Sequence, residues 1–141
     1  PLLICRRLIV HSAEDVGMAD PYALTIAVNA MQAMEKLGIP EGRIPLTEAI
    51  IYVCLAPKSN SVVNALYSAD DASLKAEDQS IPYYLRDANY KVEKVSGYKY
   101  PHDYGGWVDQ RYLPEALGDV RFYEPSNNGK EKNIIIPKYK K

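Results

Sequence analysis

The sequence has few of the residues that metal sites and nucleophilic sites use. Its 141 residues include only two histidines and two cysteines, too few for a His-rich zinc site or a disulfide framework. It contains no Gly-x-x-x-x-Gly-Lys-Ser/Thr loop, no Gly-x-Gly-x-x-Gly segment and no Gly-x-Ser-x-Gly elbow. These absences predict that the chain by itself neither binds nor hydrolyses a nucleotide, and they disfavour an elbow-type serine hydrolase.

Long apolar runs and a strong net charge are absent as well. No run approaches membrane-spanning length, and no signal peptide is recognisable. The formal net charge of −1 argues against a general attraction to nucleic acid or to a membrane surface. The charge is uneven, because residues 121–141 contain six basic and two acidic residues. That segment therefore carries +4, the first 120 residues carry −5, and the tail is expected to be solvated or to contact phosphates.

Cys5 and Cys54 both lie in apolar runs. This context predicts buried, reduced thiols and therefore a reducing, intracellular compartment. The chain begins at Pro1, without Met, and its first residues have the pattern of the middle of a helix. We therefore expect the chain to be part of a longer protein.

Apolar residues at helical spacing, framed by residues that start and end helices, predict an all-α fold. Gly17, Gly38 and Pro57 mark three helix ends, and Asp20 with Pro21 marks a start as N-cap and first helical residue. The third segment also fits a buried strand, but its flanking prolines favour a helix. The predicted helices are 2–16, 21–37, 46–56 and 61–75, followed by a shorter fifth helix that ends at Gly97.

The predicted organisation is a single domain over residues 1–141. Residues 1–80 form a helical core, and residues 81–141 form a short helix plus an irregular, aromatic-rich arm, because prolines recur through that part of the chain. The second and third helices are apolar around most of their circumference. Their apolar surface exceeds what one small bundle covers, so we expect the chain to self-associate.

The arm contains one unusual stretch, SGYKYPHDYGGWVDQRYLP, at residues 96–114. Its glycines Gly97, Gly105 and Gly106 are interpreted as turn formers, and His102 with Asp103 as a pair that stabilises a tight turn. Catalysis by that pair is disfavoured, because adjacent residues rarely face one another and no nucleophile accompanies them. We predict no catalytic residue, and a role at an interface or in anchoring the arm for Tyr98, Tyr100, His102, Asp103, Tyr104 and Trp107.

The residue pattern leaves two other functions open. A DNA-binding module is the first, because aromatic rings flanked by basic residues stack on unpaired bases. A small metal-dependent hydrolase that uses His11 or His102 is the second. His11, Glu14 and Asp15 share one helix face at metal-ligand spacing, although an exposed polar face without a metal is the favoured interpretation. The residues predicted to contact DNA are Lys99, Arg111, Lys138, Lys140 and Lys141.

Five segments resemble, in this order, the C-terminal region of the family of replication-associated recombination protein A. They are IVHSAEDVGMADPYAL, IYVCLAPKSNSVVNAL, IPYYLRDA, GYKYPHDYGGWVDQRYLPEAL and FYEPSNNGKEK. The family consists of bacterial AAA+ ATPases related to the eukaryotic Werner-helicase-interacting proteins and the yeast maintenance-of-genome-stability proteins. The resemblance covers nearly the whole chain.

The resemblance implies a bundle of about five helices, similar to the C-terminal oligomerisation domains of clamp loaders and assembled into a homotetramer. It implies that the ATPase core, with its ATP and Mg²⁺, lies outside this chain, and that the chain itself has no cofactor and no metal. The parent is then expected to be a DNA-dependent ATPase of replication, recombination and repair. Its expected partners are DNA ends, replication forks and single-strand-binding protein, and its expected location is the bacterial cytoplasm, in association with the nucleoid.

Overall fold

The computed structural model describes residues 1–77, 80–86 and 97–136. This part of the chain contains four α-helices, and no strand occurs among the described residues. The helices are α1 (Leu2–His11), α2 (Tyr22–Leu37), α3 (Arg43–Leu55) and α4 (Ser61–Lys75). Short 3-10 turns follow at Tyr83–Leu85, Pro101–Tyr104, Glu115–Leu117 and Glu131–Asn133. The predicted all-α class is confirmed.

Two helices of the first half, α2 and α4, lie where the sequence predicts them, whereas α3 begins three residues before its predicted start, because the first turn of a helix accommodates Pro45. α2 begins one residue after the predicted start, α4 has its predicted bounds, and Gly38 follows α2 with a positive φ of 69°. The first segment ends α1 at His11 and continues as a π-helical turn, Ser12–Val16, and a 3-10 turn, Gly17–Ala19. The predicted fifth helix falls mainly on residues 87–96, outside the described residues.

The described chain divides into two compact units. The first comprises residues 1–68 and, from the predicted arm, residues 122–135. The second comprises the described residues of 69–121 together with Ile136, and it contains the aromatic stretch. The helical core therefore includes a segment that returns to it from far along the chain.

The core of the first unit is built around α2, which contacts both α1 and α3. The buried side of α2 carries Ala23, Ala27 and Ala30, spaced so that they share one face, and Met34 extends that face. Alanine adds only a methyl group, so neighbouring helices approach the α2 backbone closely. The buried residues that meet this face include Cys5 and Leu8 from α1 and Leu46, Ala49 and Val53 from α3.

The two cysteines have different environments. Cys5 is completely buried among the helices, as predicted, whereas Cys54 is exposed. The prediction of a buried thiol at Cys54 is wrong because α3 buries only one face, and Cys54 follows the buried Val53 by one residue, a rotation of about 100° around the helix. A continuous apolar run gives no indication of which face is buried.

The turn after α1 is fixed to the connection between α3 and α4. The hydroxyl of Ser12 donates to the carbonyl oxygen of Leu8 (2.7 Å), inside the helix. The carbonyl oxygen of Asp15 accepts a hydrogen bond from the backbone amide of Ser59 (2.8 Å). Gly17 has a φ of 50°, and a Cβ at that position would lie 3.2 Å from the carbonyl oxygen of Ser59. The backbone after α1 therefore approaches the α3–α4 connection closely at this point. Residues 122–135 bind beside this contact.

We predict that Ala27→Leu lowers the free energy of unfolding by about 1–3 kcal/mol, because a larger side chain forces the closely packed helices apart. Urea denaturation followed by circular dichroism measures the change. Gln32→Leu, an apolar substitution at an exposed position of the same helix, is the matched control and should change stability by less than about 0.5 kcal/mol. Equal effects of the two substitutions would contradict the tight contact at Ala27.

Candidate functional site

The most organised polar site lies where residues 122–135, here called the strap, bind the first unit. The backbone amide of Lys130 donates to the carbonyl oxygen of Ala19 (2.8 Å), and the side-chain amide of Asn128 donates to that of Lys58 (2.8 Å). Gly129 has a φ of +52°, and a Cβ there would lie 2.2 Å from the carbonyl oxygen of Ala19. No residue with a side chain fits this approach.

Glu131 is the centre of the site and is completely buried. Its Oε1 accepts hydrogen bonds from the hydroxyls of Ser61 and Tyr123, the latter at 2.7 Å, and its Oε2 accepts one from Ser126 (2.6 Å). The hydroxyl of Ser59 donates in turn to that of Ser61 (3.1 Å). Hydroxyl groups therefore surround the carboxylate and supply the hydrogen bonds that water would otherwise make.

These donors determine the charge of Glu131. Burial by itself raises the pKa of the carboxyl, but the hydrogen bonds from Ser126, Ser59, Ser61 and Tyr123 outweigh burial and lower the pKa to about 2. Burial and the hydrogen bond to Glu131 raise the pKa of Tyr123 to about 12, so its hydroxyl keeps its proton. Glu131 is therefore ionised at neutral pH, and so weak a base does not activate Ser61 as a nucleophile. The geometry is that of a clasp, which stabilises structure.

A second carboxylate holds the neighbouring residue of the strap. Asp20 is buried. Its carboxylate accepts a hydrogen bond from the Tyr52 hydroxyl (2.6 Å) and forms an ion pair with Lys130 Nζ (2.7 Å). Burial by itself raises the pKa of Asp20. The bonds from Lys130 and Tyr52 lower the pKa by more than burial raises it, so the pKa lies below its usual value. Lys130 and Glu131, adjacent and opposite in charge, thus bind two different connections between helices, α1–α2 and α3–α4.

An open cleft lies beside the strap. The ammonium of Lys58 does not face a free anion there, because it donates to the carbonyl oxygens of Val53 (2.8 Å), Cys54 (3.2 Å) and Ala56 (2.5 Å) at the end of α3. Within the described residues, no buried side-chain polar atom lacks a hydrogen-bond partner. The cleft is lined by Asp15, Lys58, Ser59, Asn60, Ser126 and Asn128.

The residues predicted from the aromatic stretch lie together in the second unit, and their side chains are exposed. The stretch forms a turn, Pro101–Tyr104, closed by main-chain bonds, and Gly97, Gly105 and Gly106 all have positive φ, which confirms them as turn formers. The rings of Tyr100 and His102 lie 5.0 Å apart. Contact with an interface or anchoring of the arm stays a prediction for Tyr98, Tyr100, His102, Asp103, Tyr104 and Trp107.

The basic residues predicted to contact DNA are only partly available. Arg111 donates to the carbonyl oxygen of Gly118 (3.1 Å) and to the carboxylate of Asp119 (3.2 Å), within its own unit. The main chain of Lys99 exchanges two hydrogen bonds with the side chain of Gln110, which leaves its ammonium uninvolved in them. The three remaining predicted contacts, Lys138, Lys140 and Lys141, lie outside the described residues.

The proposed metal ligands of α1 form a pair. His11 Nδ1 lies 2.5 Å from Asp15 Oδ2, and both side chains are half exposed. Among the described residues, no group of three His, Cys, Asp or Glu side chains is arranged to hold a metal ion. None of the described helices is both long enough and apolar enough to cross a membrane.

Comparison with known proteins identifies the class of protein to which this fold belongs. Residues 1–139 match the family model described as MgsA AAA+ ATPase C terminal, and the chain belongs to that family. It is 42% identical to replication-associated recombination protein A of Bacillus subtilis, over 98% of this chain and 34% of that protein. The protein of the same name from Escherichia coli K12 is 35% identical, over 95% of this chain and 31% of its own length. ATPase WRNIP1 of Dictyostelium discoideum is 34% identical, over 88% of this chain and 15% of that protein.

The family resemblance inferred from the sequence is confirmed, and the chain spans about a third of the length of the two bacterial relatives. The clasp residues were not predicted. The segment FYEPSNNGKEK carried part of the resemblance, and its combination of a glycine with adjacent opposite charges was the available signal of a tight docking contact.

We predict that Glu131→Gln lowers the free energy of unfolding by about 1.5–3 kcal/mol at neutral pH, the range for hydrogen bonds to a charged group. The amide keeps the shape of the carboxyl but presents an NH₂ group where hydroxyl donors converge. Glu124→Gln, at an exposed position of the same strap, is the control. Urea denaturation should place the control within about 0.5 kcal/mol of the unmodified chain.

The acid dependence of stability provides a separate prediction. The pKa of Glu131 is about 2 in the folded chain and 4.5 as the ordinary value. Its stabilisation is therefore full above the ordinary pKa and is lost as the pH falls towards about 2. The stability difference between the unmodified chain and Glu131→Gln should be constant near neutral pH and should narrow through this acid range. A difference that narrows as the pH rises would contradict the assignment.

Proposed function

We propose that the chain is the assembly domain of a AAA+ ATPase that acts in replication-associated recombination, and that it joins copies of its parent protein into a homotetramer. Membership in a AAA+ ATPase C-terminal family and the names of the relatives support the parent and its process. The assembly role rests on the surface of α3. The chain contributes contacts, while the ATP and Mg²⁺ of the parent bind elsewhere in it.

The observation that carries this proposal is the outer face of α3. Ile44, Ile51 and Leu55 fall on one line along the helix, and all three are exposed. Leu46, Ala49 and Val53 occupy the opposite, buried face. The exposed Glu48 shares this outer face, and the three aligned apolar side chains around it give α3 a line of exposed apolar surface of the kind found at subunit interfaces.

Other apolar side chains of the first unit are exposed as well. Leu37, the last residue of α2, and Ile39, in the turn that precedes α3, are more than half exposed. Leu3 and Ile4 of α1 are exposed to a similar degree. Single exposed apolar residues need no explanation, but aligned ones, as on α3, mark a contact surface. A second copy of the chain is the simplest partner, since one patch pairs with itself across a two-fold axis.

We predict that the chain self-associates at micromolar concentration and that Leu55→Glu shifts it towards smaller species by at least about tenfold in dissociation constant. A charge placed in an apolar contact costs more than about 1.4 kcal/mol, which corresponds to that factor. Leu55 is 81% exposed, so the substitution removes little burial from the single chain. Sedimentation velocity over a concentration series measures the effect.

Leu74→Glu is the matched control, because Leu74 is 87% exposed on another helix. The control should leave both the assembly and the unfolding transition unchanged. A monomer at tens of micromolar in the unmodified chain would remove the proposal. Equal weakening by both substitutions would remove α3 as the contact surface.

We further propose that the parent is a DNA-dependent ATPase of the bacterial cytoplasm. DNA ends, replication forks and single-strand-binding protein are its proposed partners in replication, recombination and repair. The support is the name carried by the bacterial relatives, which refers to replication and recombination. No residue of this chain is assigned to those partners.

A DNA-binding module is the second candidate function, because the aromatic rings of residues 98–112 are exposed, as base stacking requires. The charge of the stretch does not favour it. Within the described residues 97–121, three basic side chains oppose four acidic ones, so phosphates are not attracted. The charged residues are Lys99, Arg111, Arg121, Asp103, Asp109, Glu115 and Asp119.

If this second function holds, Tyr100→Ala should weaken binding of a fluorescent oligothymidine at low salt by about 5- to 100-fold, the range for loss of one stacked base. Tyr67→Ala is the control, because Tyr67 is a similarly exposed tyrosine on α4. Fluorescence anisotropy at two salt concentrations gives the affinity and its salt dependence. Absence of binding by the unmodified chain would eliminate the module.

A further inference from the structure

We propose that the strap is a latch: residues 122–135 detach from and return to the first unit as one piece while the helices stay folded. Asn128, Lys130 and Glu131 attach it through hydrogen bonds and an ion pair. This conformational device is separate from the assembly role proposed for α3. Three features of the structure support it.

The first feature is that the strap contributes nothing to the apolar core of the helices. The buried cluster runs from Cys5 to Ala56, and the partly buried apolar residues packed against it also precede the strap. Detachment therefore removes no hydrophobic contact within that cluster. Segments held mainly by exposed or polar contacts open at lower free energy than the core does.

The second feature is that the hydrogen bonds and the ion pair of the attachment are concentrated in a few residues. The strap has one short 3-10 turn, Glu131–Asn133, as its described regular structure. Its bonds to the rest of the first unit come from the amide and ammonium of Lys130, the side chain of Asn128 and the carboxylate of Glu131. Because Lys130 and Glu131 are adjacent in sequence, one contact positions the other, and the two are expected to form and break together.

The third feature is that the open state leaves no orphaned charge. Water solvates the Glu131 carboxylate once the strap has left, so the ion is never buried without donors. The hydroxyls of Ser59 and Ser61 already pair with each other (3.1 Å), and Asp20 keeps the Tyr52 hydroxyl (2.6 Å). The receptor side of the latch therefore stays hydrogen-bonded after release.

The strap lies in the sequence between residues assigned to the second unit, because Arg121 precedes it and Ile136 follows it. The closed latch holds this segment on the first unit, in part through the bond from the Lys130 amide to the Ala19 carbonyl oxygen. Opening the latch frees the whole segment without unfolding of the helices.

Hydrogen–deuterium exchange on the full chain tests the proposal. In Glu131→Gln, the amides of residues 122–135 should exchange about tenfold faster or more, while the amides of α2 stay better protected than those of the strap and lose no more protection than the free energy of unfolding loses. Glu124→Gln should leave both unchanged. Gly129→Ala should also release the strap, because its Cβ would meet the Ala19 carbonyl. Gly118→Ala is its control, since Gly118 has a similar φ of 62° but open space around it.

The unmodified chain gives a measurement that does not depend on substitution. In low urea, strap amides should exchange through an opening with a smaller urea dependence than the opening that exposes α2, because less surface is uncovered. One common opening for strap and α2 would overturn the proposal. Strap exchange in Glu131→Gln that matches Glu124→Gln would overturn it as well.

Discussion

An ionised carboxylate that is completely removed from water has to be surrounded by donors, and the donors to Glu131 come from two distant parts of the sequence. Ser61 belongs to the start of α4, while Tyr123 and Ser126 belong to the strap itself. The hydroxyls hold the pKa of the carboxyl near 2, so the charge persists and the donors stay oriented. The strap position, the close approach at Gly129 and the ion pair of Lys130 with Asp20 all follow from that arrangement.

The first unit therefore combines two kinds of cohesion. Around α2 the helices meet through small apolar side chains, whereas the connections between helices are joined by polar contacts with the strap. This division leaves the outer face of α3, with Ile44, Ile51 and Leu55, free of both. No part of the described chain covers this apolar surface, and the proposed assembly rests on it.

Local signals predicted the local structure well. Gly38 and Pro57 marked helix ends correctly, and Gly105 and Gly106 marked a turn, because proline restricts the backbone and glycine permits the positive φ found at these three glycines. The clasp was beyond such signals, since Ser61 and Glu131 lie 70 residues apart and Asp20 and Lys130 lie 110 apart. Helical periodicity also does not indicate which face of a helix a neighbour covers, which is why Cys54 was predicted to be buried although it is exposed. The exposure of Trp107 was not predicted either.

The alanine face of α2 limits which substitutions the core is able to accept. The alanine methyl groups pack directly against the neighbouring helices, so α2 itself has no spare volume on this face. A larger side chain at Ala23, Ala27 or Ala30 therefore needs a smaller side chain opposite it, on α1 or α3. Tolerated changes should therefore occur as pairs across the helix contacts. Residues on the alanine face of α2 are expected to co-vary with the residues of α1 and α3 that contact them. Positions on the outer face of α3 are constrained only by a partner that binds there.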